Sequence, residues 1–256
     1  MSGKNYLILI LILCALALAS CNLPSRQNTQ SPGSTLATPP LPASSPTPLP
    51  LCSNSYFPST QGDTWEYSGS NTISGAYTRT DVVSNSSNTS FTIATKLSDN
   101  AYTLIYSCTS AGLLADNPVQ QYAGALLNSP NAPLSVVVTS NNGLSLPAQV
   151  KPGDTWQQTA DFSATSQDLN LSGRFVFNYT AVDFEDISVP AGSFNALLVD
   201  ATIRVEVSGL HILAGTYTTS SWLAAGIGVV KTIGTSHVPG IDFSDAMQLT
   251  QFSPSP

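Results

Sequence analysis

The chain has 256 residues, 8 of them Lys or Arg and 15 Asp or Glu, for a formal charge of −7. Charged residues make up 9% of it, against roughly a quarter in an ordinary soluble domain, while Ser and Thr together number 62. So few bases exclude a nucleic-acid footprint, and so few Glu, Lys and Arg argue against a helical bundle. A hydrophobic content of 42% is still enough for a packed core.

Lys4 is followed by an unbroken apolar run from Leu7 to Ala19. A spanning helix needs about 20 apolar residues, so this shorter run has the proportions of a secretory signal rather than an anchor. It ends in Leu18-Ala19-Ser20-Cys21, which resembles the bacterial lipobox, where cleavage precedes the cysteine and its thiol is lipidated. That resemblance implies a cleaved signal over residues 1–20 and a mature N-terminus at a lipidated Cys21. Two or three acyl chains suffice for stable anchoring, so the membrane is an expected partner. The expected location is the cell membrane or outer membrane, with the domain held outside the cytoplasm. The rest of residues 21–50 contains Pro24, Pro32, Pro39, Pro40, Pro42, Pro46, Pro48 and Pro50 and has no apolar periodicity. Such a segment cannot bury enough surface to offset its ordering entropy, and is expected to be a disordered tether.

From residue 51 to about 252 the pattern turns to period two, leaving a short tail over 253–256. Strands are expected over 63–68, 76–83, 91–97, 102–106, 134–140, 155–165, 174–182, 196–207, 216–224, 227–235 and 245–252. In the clearest case Leu197, Val199, Ala201, Ile203, Val205 and Val207 share one face, and Leu198, Asp200, Thr202, Arg204 and Glu206 the other. That is the alternation of a half-buried antiparallel strand. Only 112–128 gives no clear pattern. The class is all-β: a single antiparallel meander curled into a barrel, half-barrel or two-layer sandwich. Gly62-Asp63-Thr64-Trp65 recurs as Gly153-Asp154-Thr155-Trp156, which suggests equivalent strand entries in two halves of the sheet. Trp65, Trp156 and Trp222 are expected in the core.

Several short motifs occur in order. Tyr56-Phe57-Pro58 precedes Gly62 and Trp65; Pro152-Gly153-Asp154 precedes Trp156. Glu185 and Val189-Pro190-Ala191-Gly192-Ser193-Phe194 follow, then Trp222 and Gly226-Ile227-Gly228-Val229-Val230-Lys231. This order resembles a large, mostly uncharacterised family of bacterial envelope lipoproteins. The resemblance implies a β-rich fold and an envelope location, with no catalytic residue to carry over. By their own chemistry, Pro190 and Gly192 suit a turn, and Gly226 and Gly228 a turn or bulge.

The remaining thiols of the exported domain, Cys52 and Cys108, are expected to form a disulfide, which persists outside the cytosol. His211 and His237 are the only histidines, and no HExxH, paired CxxC or EF-hand loop accompanies them. The densest acidic group, Asp183, Glu185 and Asp186, reads as a solvated strand edge. No catalytic signature is present, so an enzyme is not expected, nor is a cofactor or metal. Two functions remain. One is a structural or interaction module meeting an envelope polymer or protein; the other is binding of a lipid or other apolar ligand in a curved sheet. A cavity of roughly 300 Å³ or more, open to solvent, would favour the binder.

Overall fold

The computed structural model describes residues 50–98, 100–118, 135–166, 169–208, 216–238 and 241–256. The expected signal peptide over 1–20, Cys21, the expected tether up to residue 49 and His211 lie outside them. Thr47–Pro256 form one compact unit, and its buried hydrophobic residues run from Cys52 to Leu249, so it carries its own core.

Among the described residues it has thirteen strands: β1 (Thr64–Asn71), β2 (Gly75–Ser86), β3 (Ser90–Leu97), β4 (Asn100–Thr109), β5 (Gly112–Ala115), β6 (Ser135–Gly143), β7 (Leu146–Pro147), β8 (Thr155–Ser166), β9 (Leu169–Val189), β10 (Gly192–Val207), β11 (Thr216–Ala224), β12 (Gly228–Val238) and β13 (Ile241–Ser253). All the ladders are antiparallel, in the order β6-β8-β9-β10-β11-β12-β13-β1-β2-β3-β4-β5-β7. The eleven expected strands are all present. The short β5 and β7 were not foreseen, because neither is long enough to show alternation. β9 and β10 also run farther than expected, right up to the Pro190-Ala191 turn, where Val189 pairs with Gly192.

The order dictates a curl. A flat sheet of thirteen strands at about 4.8 Å spacing would be roughly 58 Å wide. Its outermost strands, β6 and β7, are consecutive in the chain, and Gly143 lies only three peptide steps from Leu146, at most about 11 Å. The sheet therefore bends round until its ends meet. The strand ladder stays open there, since β6 and β7 do not pair. The linking residues bridge the gap instead: Leu144 N–H donates to Gln157 C=O at 2.9 Å, and Ser145 N–H to Leu113 C=O at 2.8 Å.

Side chains complete this seam around Gln158, which is fully buried. Its amide donates to Ala115 C=O (2.8 Å) and Asn141 Oδ1 (2.9 Å), and its Oε1 accepts from Ser145 Oγ (2.7 Å). Asn141 Nδ2 donates to the same Ala115 carbonyl, and Ala115 N–H to Ser145 Oγ, each at 2.7 Å. A buried polar side chain is tolerable only when so satisfied.

The repeated Gly-Asp-Thr-Trp motif builds the same turn twice. Gly62 (φ +97°) and Gly153 (φ +90°) occupy the left-handed region open to glycine. Their N–H groups donate to Val83 C=O (2.9 Å) and Ala181 C=O (2.8 Å). The N–H groups of Val83 and Ala181 return to the carbonyls of Asp63 and Asp154, both at 2.9 Å. Each aspartate caps its own turn, accepting at Oδ2 from Thr60 N–H and Lys151 N–H respectively, both at 3.0 Å. So β1 followed by β2 and β8 followed by β9 are corresponding starts of two half-sheets. β13 pairs with β1 and thereby joins the halves.

Two buried clusters result. The larger gathers Trp65, Tyr67, Val83, Phe91, Ile93, Leu104, Leu197, Trp222 and Leu249 among others. Cys52 and Cys108 are buried in it as a disulfide, 5.0 Å apart at Cα. The smaller, of Ala160, Phe162, Ala164, Phe175, Phe177 and Ile203, closes the far ends of β8, β9 and β10.

Candidate functional site

Between the two clusters the interior is not filled. A cavity of about 370 Å³, partly open to solvent, is lined by residues from both half-sheets. Its size falls within the roughly 300–1,000 Å³ of ligand pockets. Six of the chain's nine tyrosines line it: Tyr67, Tyr77, Tyr102, Tyr106, Tyr179 and Tyr217. A core built only to be filled favours aliphatic residues without polar atoms, because a buried phenol needs a partner for its hydroxyl. Part of the wall is aromatic surface: Trp156 stacked on Tyr179, centroids 5.3 Å apart, and Tyr106, which the buried Phe91 backs at 4.8 Å.

The alternation of β2 turns Tyr77, Arg79 and Asp81 to this interior face, along with Val83. Arg79 grips Asp81 with two nitrogens, Nη2 to Oδ2 at 2.8 Å and Nε to Oδ1 at 3.0 Å. Thr95 Oγ1 adds a 2.7 Å bond to Asp81 Oδ1, so the buried carboxylate has three donors. Burial by itself draws the guanidinium toward neutrality, but Asp81 and then Tyr102 more than offset this and raise its pKa. The Arg79 guanidinium carbon also lies 5.9 Å from the centre of the Tyr67 ring. Burial first, and Asp81 second, push the Tyr67 phenol up.

A second polar group stands on β13. Asp245 accepts from the Tyr77 hydroxyl at both oxygens, 2.9 and 3.1 Å. Burial raises its carboxyl above the ordinary value, and the Tyr77 bond and Arg79 pull it partly back. Tyr77 and Tyr217 are both pushed up, by burial and then by the charge of Asp245.

The profile of the DUF3108-like family matches residues 60–233, from the first Gly-Asp-Thr-Trp turn into β12. The chain belongs to this family. No curated protein matches it. Among solved structures, an inferred exported protein with a YmcC-like fold from Bacteroides fragilis is 13% identical, with a TM-score of 0.53 over 79% of this chain and 100% of that one. An inferred lipoprotein from Parabacteroides distasonis is also 13% identical, with a TM-score of 0.50 over 78% of this chain and 99% of that one. At such identity these likenesses concern the fold alone.

In this DUF3108-like domain the residues singled out from sequence separate into two groups. Trp65 is buried and donates through Nε1 to Ile227 C=O, while its ring borders the cavity. Trp156 is partly buried and packs against the larger cluster with its ring bordering the cavity; its Nε1 donates to Ser145 C=O at 3.1 Å. Trp222 is buried away from the cavity, with Nε1 on Glu185 Oε2 at 2.7 Å and Lys231 Nζ 4.8 Å from the ring. Pro190 and Gly192 form the β9–β10 turn, where Ala191 N–H reaches Leu249 C=O at 3.1 Å. Gly226 and Gly228, at φ +73° and +98°, shape the β11–β12 turn. Of the acidic group, Glu185 serves Trp222, and Asp186 accepts from Asn195 at 2.9 Å. Among the described residues no three His, Cys, Asp or Glu gather as a metal site. Tyr77, Arg79, Asp81, Gln158 and Asp245 were missed. The available signal was Arg79 and Asp81 two apart on the face that Val83 commits to the interior.

Proposed function

We propose that this protein is a lipid-anchored envelope protein whose β domain binds a small molecule with a substantial apolar body in its central cavity. The observation that carries the reading is the 370 Å³ cavity itself, lined by aromatic rings and a small number of fixed polar groups. Predominantly apolar walls with a few placed polar groups are the usual make-up of a ligand pocket. This favours the ligand-binding alternative over a module that acts only through its outer surface. The export signal and lipobox-like Cys21 support the location, with a tether long enough to hold the domain off the membrane.

The test is native mass spectrometry of the full chain isolated from its own host, followed by extraction and identification of bound material. The expected result is an adduct that denaturation releases. Ala201 lines the cavity, so Ala201→Trp should occupy the space and remove the adduct. An apo mass for the wild type, together with no uptake of added apolar probes, would overturn the proposal.

A further inference from the structure

We infer that the cavity takes an organic cation with an apolar tail, an alkylamine or quaternary ammonium, with Asp245 holding its head between the rings of Tyr77 and Tyr217. This rests on the ligand-binding reading above and adds the chemistry of the ligand. The site is built by two glycines. Asp245 on β13 lies opposite Gly234 on β12, and Gly69 lies two residues before its partner Asn71 on β1. A Cβ at Gly69 would run into the Tyr77 ring, and one at Gly234 into the Tyr217 hydroxyl. Each tyrosine therefore packs its outer end against a bare stretch of backbone, reaching toward Asp245 from opposite sides. Both residues also line the cavity. Phe243 adds a third ring, its centroid 6.2 Å from that of Tyr217.

Charge then selects the ligand. Among the described residues, Arg79, Asp81 and Asp245 are the charged ones of the lining. Arg79 and Asp81 neutralise each other through their two-point bond, which leaves Asp245 with the Tyr77 hydroxyl bond and only the more distant charge of Arg79. An anionic ligand would meet a like charge. A wholly apolar one would desolvate the carboxylate with nothing in return. A cation pairs with it, and the tyrosine faces attract the same charge through their quadrupoles. Met247, two residues along the same face of β13, begins apolar lining that continues through Val229 and Leu223, where a tail fits. The groups facing Asp245 are Tyr77, Tyr217 and, farther off, Arg79, whose charge acts on it. Its carboxyl is raised by burial, so cation binding should weaken as pH falls through that raised value. Asp245 lies beyond the residues that the family profile matches, so the inference concerns this chain.

The experiment compares three probes of equal tail length, dodecyltrimethylammonium, 1-dodecanol and dodecanoate. Each is titrated below its micellar concentration into the 47–256 domain at pH 7.5 and 150 mM salt. Binding is read by calorimetry and by the fluorescence of Trp65 and Trp156. The ammonium should bind about tenfold more tightly than the alcohol, and dodecanoate most weakly. Asp245→Asn should remove the preference while keeping dodecanol binding. Tyr217→Leu should weaken the ammonium selectively, and Ala201→Trp should abolish all three. Equal affinity for alcohol and ammonium, or a preference that survives Asp245→Asn and Tyr217→Leu, would overturn the cation assignment and leave the cavity reading standing. Ammonium binding that survives Ala201→Trp would place the cation elsewhere on the acidic surface and also overturn it. Failure of all three probes would remove both readings.

Discussion

Replacing Gln158 with leucine tests whether the seam is held by side chains. The change deletes three bonds, to Ala115 C=O, to Asn141 Oδ1 and from Ser145 Oγ. Two of the groups lose little, because Ala115 C=O keeps Asn141 Nδ2 and Ser145 Oγ still accepts from Ala115 N–H. Two are stranded: the Asn141 carbonyl oxygen and the proton of the Ser145 hydroxyl. Each group left unsatisfied in this partly buried seam costs roughly 1–3 kcal/mol, and the added apolar burial of leucine returns about 1 kcal/mol. A net loss of about 3 kcal/mol follows, which for a domain of this size lowers Tm by roughly 6–12 °C. Urea unfolding of the 47–256 domain, followed by tryptophan fluorescence, measures it. A cycle with Ser145→Ala should show a coupling of about 1–2 kcal/mol, because the residues share one network. Hydrogen exchange should quicken first in β5 and β6. If Gln158→Leu stays within about 0.5 kcal/mol of the wild type, the network does not hold the ends of the sheet together, and the account of the seam is wrong.

Removing the Cys52–Cys108 bridge, whose cysteines are 56 residues apart, should cost about 4 kcal/mol by the chain-entropy argument, seen as a lower urea midpoint in the double alanine variant. Asp245→Asn should raise Tm at neutral pH. The folded-state pKa of Asp245 is raised, so its contribution to stability is fully present below its unfolded value and is lost as pH rises through the folded one. The gain from Asp245→Asn should accordingly vanish in acid, and a Tm difference independent of pH would contradict this. Cys21→Ser should shift the protein out of the membrane fraction or stall its processing. Unchanged fractionation with unchanged mass would remove the anchor.

The fold was legible wherever a strand was long and half-buried. Alternation in 196–207 is unmistakable because each inward residue is apolar, although a bulge between Leu197 and Val199 buries Ala196 and Leu197 together. Period-two reading cannot foresee a bulge, since it assumes one residue per position. The short β5 and β7 were invisible for want of length, yet they bring the sheet ends together. The disulfide was legible from compartment alone. The cavity was not, because Tyr102, Leu104 and Tyr106 read identically whether their rings fill a core or line a space. What separates the cases is the opposite wall, supplied by β8, β11 and β13, far away in sequence. Asp245 was illegible for the same reason: only strand order sets it between Gly69 and Gly234.

The duplicated motif explains why so wide a sheet can curl tightly and still keep a space at its centre. Each motif tryptophan ties its own half to the other. Trp65, at the start of the first half, donates to Ile227 in the β11–β12 turn of the second. Trp156, at the start of the second, donates to Ser145, whose own N–H is bonded to β5 of the first. These two cross-ties act near the ends of the strands, each from the second residue of its strand. The middle of the interior is left to residues held against its walls: Tyr77 over Gly69, Tyr217 over Gly234, and Arg79 clamped to Asp81. None of these can swing inward without giving up a backbone groove or a charged bond. The same features that stop the walls from collapsing therefore keep the cavity open, and they are the features that give it a polar head-group site.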